Sequence, residues 1–248
     1  MMRRAWCDAL TALQFLTRVP VGSFPYDPEA LSRAVVWFPL VGGFVGAAAA
    51  GVHWAVARAV SAPIAALATL IFLVLITGAF HEDGLADTAD GLGGGWNRQQ
   101  SLEIMRDSRI GTYGATALIL SLFARWLLLG SLPGGVFMPY VIAAHVLCRW
   151  TTLPLSFFLK PARADAGQGI RVAALTSRFT LWAGSGMAFV LAAILLRWHA
   201  IIPVLVAMAI AGASGIYFHR RLGGVTGDCF GAANQITEIA IYLCGVMR

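Results

Sequence analysis

Six apolar runs constrain this chain more than any other feature: about Val35–Val56, Ile64–Phe80, Ala115–Leu132, Val136–Phe158, Leu181–Leu196 and Ile201–Phe218. Each approaches the roughly 17–25 residues that a bilayer-crossing helix needs. The runs are continuous rather than alternating, which favours helices over the strands of a membrane barrel. A seventh run, Ala232–Val246, is interrupted by Asn234, Gln235 and Glu238. Turn formers separate the runs, as at Ser61 and Pro63, Pro133-Gly134-Gly135 and Gly223-Gly224. Only 12% of the residues are charged, against about 25% in an ordinary soluble domain. The expectation is an all-α polytopic membrane protein: a single bundle of six to seven transmembrane helices, forming one domain over residues 1–248.

Ahead of the first run, Trp6, Leu10, Leu13, Phe15 and Leu16 share one side of a helix that also carries Arg3, Arg4, Asp8 and Gln14. This segment is too short and too polar to span, and it lacks the small-residue cleavage site of a signal peptide. It is expected to be an N-terminal interfacial helix. With this end in the cytoplasm, 13 basic residues fall on the inner side (Arg3, Arg4, Arg18, Arg33, Arg98, Arg106, Arg109, Lys160, Arg163, Arg171, Arg178, Arg220 and Arg221) and 3 on the outer (Arg58, Arg197 and Arg248). The positive-inside rule supports that orientation. It gathers His81–Gly114, Lys160–Thr180 and His219–Gly231 on the cytoplasmic face. The basic residues form no single stripe, which argues against nucleic-acid binding. The four cysteines lack metal-ligand spacing and read as free thiols. Gly42, Gly43, Gly46 and Gly51 suit close helix packing. A homo-oligomer is compatible with such a bundle, and the chain leaves oligomeric state open.

The inner segment His81–Gly91 carries four carboxylates in the run HEDGLADTADG. Asp83, Asp87 and Asp90 recur at i, i+4 and i+7, which places them on one helix face. Like charges about 6 Å apart repel by roughly 3 kcal/mol at an effective dielectric near 20. Burying a carboxylate at mid-bilayer costs about 2.5–3.5 kcal/mol. The trio therefore belongs at the water boundary or in a wet pocket, with a cation between the acids. Hard oxygen ligands with room for water and phosphate suit Mg²⁺. Gly84 and Gly91, at i+7, allow a phosphate or a partner helix to approach. Gly93-Gly94-Gly95 reads as a flexible connection.

Two further segments carry candidate chemistry. In Ser101–Gly114, Asp107 lies between Arg106 and Arg109, a mixture of metal ligand and phosphate grip. In Gly223–Glu238, Asp228 heads a helix, where an N-cap role is the simple reading, and Asp228, Gln235 and Glu238 follow at near-helical spacing. Arg149 interrupts an apolar run and should face a cavity or an acid. Arg125 is expected to snorkel, and His145 to be incidental.

Taken together, HEDGLADTADG, EIMRDSRIGTYG and GGVTGDCFGAANQITE resemble the signatures of the cobalamin synthase family, the adenosylcobinamide-GDP ribazoletransferases. FLTRVP near the N-terminus and FPLVGG at Phe38–Gly43 match as well, so the resemblance runs from Phe15 to Glu238. Glu82 departs from the apolar residue common in the family, and Gln235 stands where an acid can occur. The resemblance implies attack by a ribose hydroxyl of α-ribazole, or its 5′-phosphate, on adenosylcobinamide-GDP. The products are adenosylcobalamin, or its phosphate, and GMP, with Mg²⁺ as cofactor. It also implies a bacterial inner-membrane enzyme with its active site facing the cytoplasm. In that frame Asp83, Asp87 and Asp90 hold the metal, with Asp107 or Asp228 completing the shell. Arg106, Arg109 and Arg149, with Gly84, Gly91 and Glu238, line the substrate. A membrane phosphotransferase acting on a CDP-alcohol and an ion-coupled transporter are the alternatives.

Overall fold

The computed structural model describes residues 2–22, 29–163 and 176–248, and these are helical almost throughout. Arg171 and most of the Lys160–Thr180 segment fall outside the described residues. An amphipathic helix, α1 (Met2–Leu16), leads the chain with Trp6 exposed. Asp8 ties it to α2 (Ala30–Ala34) by accepting two hydrogen bonds from the Arg33 guanidinium, at 3.1 and 3.3 Å. After a 3-10 turn comes α3 (Phe38–Val56).

The glycines of α3 do what close packing requires. A Cβ at Gly42 would lie 2.0 Å from the His145 carbonyl oxygen, and one at Gly46 would lie 2.8 Å from the Ile142 Cα. Both contacts are with α8 (Gly134–Trp150), so only glycine lets these two helices meet.

Helix α4 (Ala62–Thr77) ends where Gly78 takes φ +66° and Ala79 follows at φ 57°. A Cβ at Gly78 would lie 2.1 Å from Arg18 Nε. This left-handed pair turns the chain through 86° into α5 (Phe80–Gly94), the acid-bearing helix. Then follow α6 (Arg98–Ile104), α7 (Thr112–Ser131), α8, α9 (Thr152–Phe158), α10 (Arg178–Leu196), α11 (Ile201–Leu222) and α12 (Gly227–Val246). Side-chain caps start three of them: Asn97 accepts from Gln100 N, Ser177 from Thr180 N and Thr226 from Cys229 N.

Four stretches are long and apolar enough to cross a membrane: Ala30–Val56, Thr112–Ser131, Gly134–Phe158 and Arg178–Leu222. The last contains α10 and α11, which fold back so that Leu181 and His219 line one groove. The bent pair α4–α5 makes a fifth if taken as one. The polytopic helical bundle stands, with four such stretches, or five with the bent pair, and two long helices in the last of them. Polar residues keep α12 off that list. It packs instead against α5, α7, α8 and α11 as the central helix, with Cys229, Ala233 and Ile241 in the core.

Two arginines fix the acid-bearing end of the bundle. Arg98 donates to the carbonyls of Leu222 (2.7 Å) and Ala162 (2.6 Å), and Arg221 donates to those of Leu92 (2.9 Å) and Gly95 (3.1 Å). They bind the ends of α5 and α6 to the end of α11, where helix-terminal carbonyls need donors. A short parallel bridge, Pro161 with Val225, sits beside them. Gly224 is confined there, since a Cβ would lie 2.2 Å from the Lys160 carbonyl oxygen.

Candidate active site

On α5 the three predicted acids share a helix but not an environment. Asp83 is exposed, Asp87 is half-buried and Asp90 is buried. Asp228, in the first turn of α12, faces them across a crossing of small residues. A Cβ at Gly84 would lie 2.9 Å from the Asp228 carbonyl oxygen and 3.2 Å from the Gly231 Cα. Gly84 is thus a helix-crossing glycine rather than a phosphate-binding one. Gly91 does the same against α6, where a Cβ would lie 2.2 Å from Met105 Cγ.

The acids perturb one another. Burial, then the charges of Asp228, Asp83 and Asp90, push the Asp87 carboxyl up to about 7, with Arg163 opposing. Burial also raises Asp228, against the pull of Arg163 and a hydrogen bond donated by Thr226 Oγ1. All-oxygen donors crowded together, with Asp87 left partly protonated near neutral pH by burial and then by its acidic neighbours, are the set a hard divalent cation relieves, so these residues fit Mg²⁺.

Asp90 departs from the expectation of a third acid facing the metal. Its two oxygens accept from Gly111 N (2.7 Å) and Gly114 N (2.8 Å), the amides that open α7. A helix N-terminus is a natural seat for a carboxylate. Gly114 is required there, since a Cβ would lie 2.2 Å from Asp90 Oδ2. The place opposite Asp83 and Asp87 falls to Asp228, and its expected N-cap role belongs to Thr226.

Asp107 and Arg109 pair with each other. Arg109 donates to both Asp107 oxygens, with its Nη2 2.5 Å from Oδ2, and this holds the Asp107 carboxyl down at about 2. The pair stands exposed on the loop before α7, and Asp107 is not among the charges that perturb Asp87. Arg106 lines a cavity of about 270 Å³ beside α6, and Arg163, which sequence reasoning left out of the site, forms another wall. Arg163 donates to the Leu102 carbonyl (3.1 Å), and its Nη1 lies 3.9 Å from Asp228 Oδ2. Nothing local in the sequence marks it, because the contact comes from the bridge that folds 160–163 onto Val225.

Glu238, Arg125 and Arg149 belong to a buried network instead of a substrate wall. Arg125 is 2% exposed and does not snorkel. Its Nη1 donates to Glu82 (2.5 Å) and its Nε to Glu238 (2.9 Å), joining α5, α7 and α12. Gln235 completes it, accepting from Ser121 and Arg125 and donating to Glu82. Arg149, 1% exposed, has no carboxylate partner among the described residues. Its Nη1 lies 2.9 Å from His145 Nδ1, and His145 Nε2 lies 3.1 Å from the Tyr242 hydroxyl. With Arg149 donating to Nδ1, the neutral ring carries its proton on Nε2 and donates to Tyr242. His145 is therefore a link, not an incidental residue. Two guanidinium and two carboxylate groups balance in charge, which makes their burial tolerable.

The fold and site define a polytopic helical protein whose accessible carboxylates stand beside guanidinium groups at one end of the bundle. The family model described as cobalamin-5-phosphate synthase matches residues 8–246. An adenosylcobinamide-GDP ribazoletransferase from Ralstonia nicotianae is 39% identical, the match covering 97% of this chain and 95% of that protein. One from Vibrio cholerae is 39% identical over 94% and 91%, and one from Shewanella piezotolerans 37% over 94% and 92%. No solved structure matches. The chain belongs to the cobalamin-5-phosphate synthase family.

Proposed function

We propose that this protein is an adenosylcobinamide-GDP ribazoletransferase, carrying out the late step that joins the lower ligand to the corrinoid. The observation that carries this reading is the match of nearly the whole chain to that family, with the accessible acids Asp83, Asp87 and Asp228 inside the matched region. A ribose hydroxyl of α-ribazole, or its 5′-phosphate, attacks the cobinamide-side phosphorus. A new P–O bond forms, the bond to the bridging oxygen breaks, and GMP leaves. The hydroxyl proton passes to a carboxylate oxygen of the Asp83, Asp87 and Asp228 cluster.

Asp83, Asp87 and Asp228 would hold Mg²⁺, which supplies charge neutralisation of the diphosphate and the leaving group when bound. Asp90 sets the angle between α5 and α7. Arg163 and Arg106 contact phosphoryl oxygens, and the buried Arg125 network keeps the acid-bearing helices in register. The relatives are bacterial, and the basic-residue bias supports a multi-pass protein of the inner membrane with this end in the cytoplasm.

Membranes or proteoliposomes containing the protein, given cobinamide-GDP, α-ribazole and Mg²⁺, should release GMP and form the joined corrinoid. CMP release from a CDP-alcohol, or solute flux without GMP, would replace this reading.

A further inference from the structure

The cavity beside α6 differs in kind from the acid cluster it adjoins. Its lining includes Arg98, Gln99, Leu102, Glu103, Arg106 and Arg163. Three guanidinium groups face one carboxylate, so the pocket favours an anionic guest. At about 270 Å³ it lies below the roughly 300–1,000 Å³ of sites that enclose a whole ligand. It suits one end of a larger substrate.

We propose that this cavity seats the guanosine end of the diphosphate, with Arg163 on the departing phosphate and Glu103 on the guanine edge. The inference rests on the transferase reading above and names where its nucleotide binds.

Arg163 makes the connection between pocket and acids. Its Nη2 is held by the Leu102 carbonyl at 3.1 Å, its Nη1 lies 3.9 Å from Asp228 Oδ2, and its buried Nε has no hydrogen-bond partner among the described residues. A phosphate between the pocket and the acids meets that guanidinium first. Arg98 is spent on the Leu222 and Ala162 carbonyls and serves as wall.

Glu103 needs a different explanation, because a carboxylate weakens a phosphate pocket. It suits guanine, whose N1–H and N2 amino group present two parallel donors that a carboxylate accepts as a fork, much as it accepts a guanidinium. Adenine presents an acceptor at N1 and cannot make that pair. Gln99 Nε2 donates to Glu103 Oε1 at 2.7 Å, which fixes the carboxylate while leaving acceptor capacity on both oxygens.

The test compares GMP with IMP, which lacks the N2 amino group, for direct binding to the detergent-solubilised full-length protein. In parallel it compares cobinamide-GDP with its hypoxanthine counterpart for turnover. The wild type should prefer guanine by about tenfold in both, expressed in KM rather than kcat. Glu103→Gln should erase that preference. Glu103 is exposed on a surface helix, so the variant folds, and an unchanged melting temperature checks this. Arg163→Gln should weaken GMP binding about tenfold and leave guanosine binding unchanged. Equal binding of GMP and IMP by the wild type, or a preference that survives Glu103→Gln, overturns the inference. If the guanine preference is present in binding but no turnover occurs, the pocket stands and the transferase reading falls.

Discussion

Glu82 and Asp83 are neighbours in sequence with opposite roles: Glu82 is buried against Arg125 Nη1 at 2.5 Å, while Asp83 is exposed among the acids. Successive helical residues point about 100° apart. One turn of α5 therefore carries both the anchor that fixes the helix in the bundle and an exposed carboxylate of the acid cluster.

Asp87→Asn should lower turnover by at least about a hundredfold while the protein remains folded and inserted, because the change removes charge from a crowded cluster. Asp228→Asn should behave alike. Asp107→Asn should cost less than about threefold, since Asp107 pairs with Arg109 away from that cluster. GMP release by the three purified variants ranks them. Near-normal turnover by Asp87→Asn would remove it from the proposed metal site.

Stability should depend on pH and magnesium together. The Asp87 carboxyl is raised from 3.8 to about 7. Its contribution to stability is full below about pH 4 and is lost as pH rises through about 7. The effect is moderate, as the group is only half-buried. Without divalent ions the melting temperature should fall between pH 5.5 and 8. Added Mg²⁺ should raise it at pH 8 and hardly at all at pH 5.5. An equal magnesium effect at both pH values would contradict this.

Arg125→Met should destabilise by about 3–5 kcal/mol, because it leaves Glu82 and Glu238 buried without their partner. Combining it with Glu82→Leu and Glu238→Gln should recover much of the loss. Melting in detergent measures both; equal melting temperatures for the single and triple variants would mean the ion pairs are not the source of the loss.

Gly114→Ala should cost about 1–3 kcal/mol and most of the activity, as the new methyl group displaces the Asp90 carboxylate from the start of α7. Asp90→Asn should also lower stability, by about 1–3 kcal/mol, because its amide nitrogen cannot accept from the glycine amide it faces. Asp87→Asn should not. A melting comparison of the three separates the role of Asp90 from that of Asp87.

Much of this protein could be read from one-dimensional pattern. Continuous apolar runs specify helices in a membrane because every backbone polar group must be satisfied within its own segment. The i, i+4, i+7 spacing placed three acids on one helix, and the glycines of α3 announced close packing. These properties repeat along the chain, so local order reveals them. Tertiary structure decided what each acid faces. Asp90, Glu238 and Arg149 looked like site residues because polar groups in apolar runs need partners, and spacing cannot say whether that partner is a substrate or the protein itself. Folding supplied the answer: the Gly111 and Gly114 amides claimed Asp90, two carboxylates claimed Arg125, and His145 claimed Arg149. The bend at Gly78 and the bridge at Pro161 brought Asp228 and Arg163 to Asp87. Those encounters join residues distant in sequence, and only packing can arrange them.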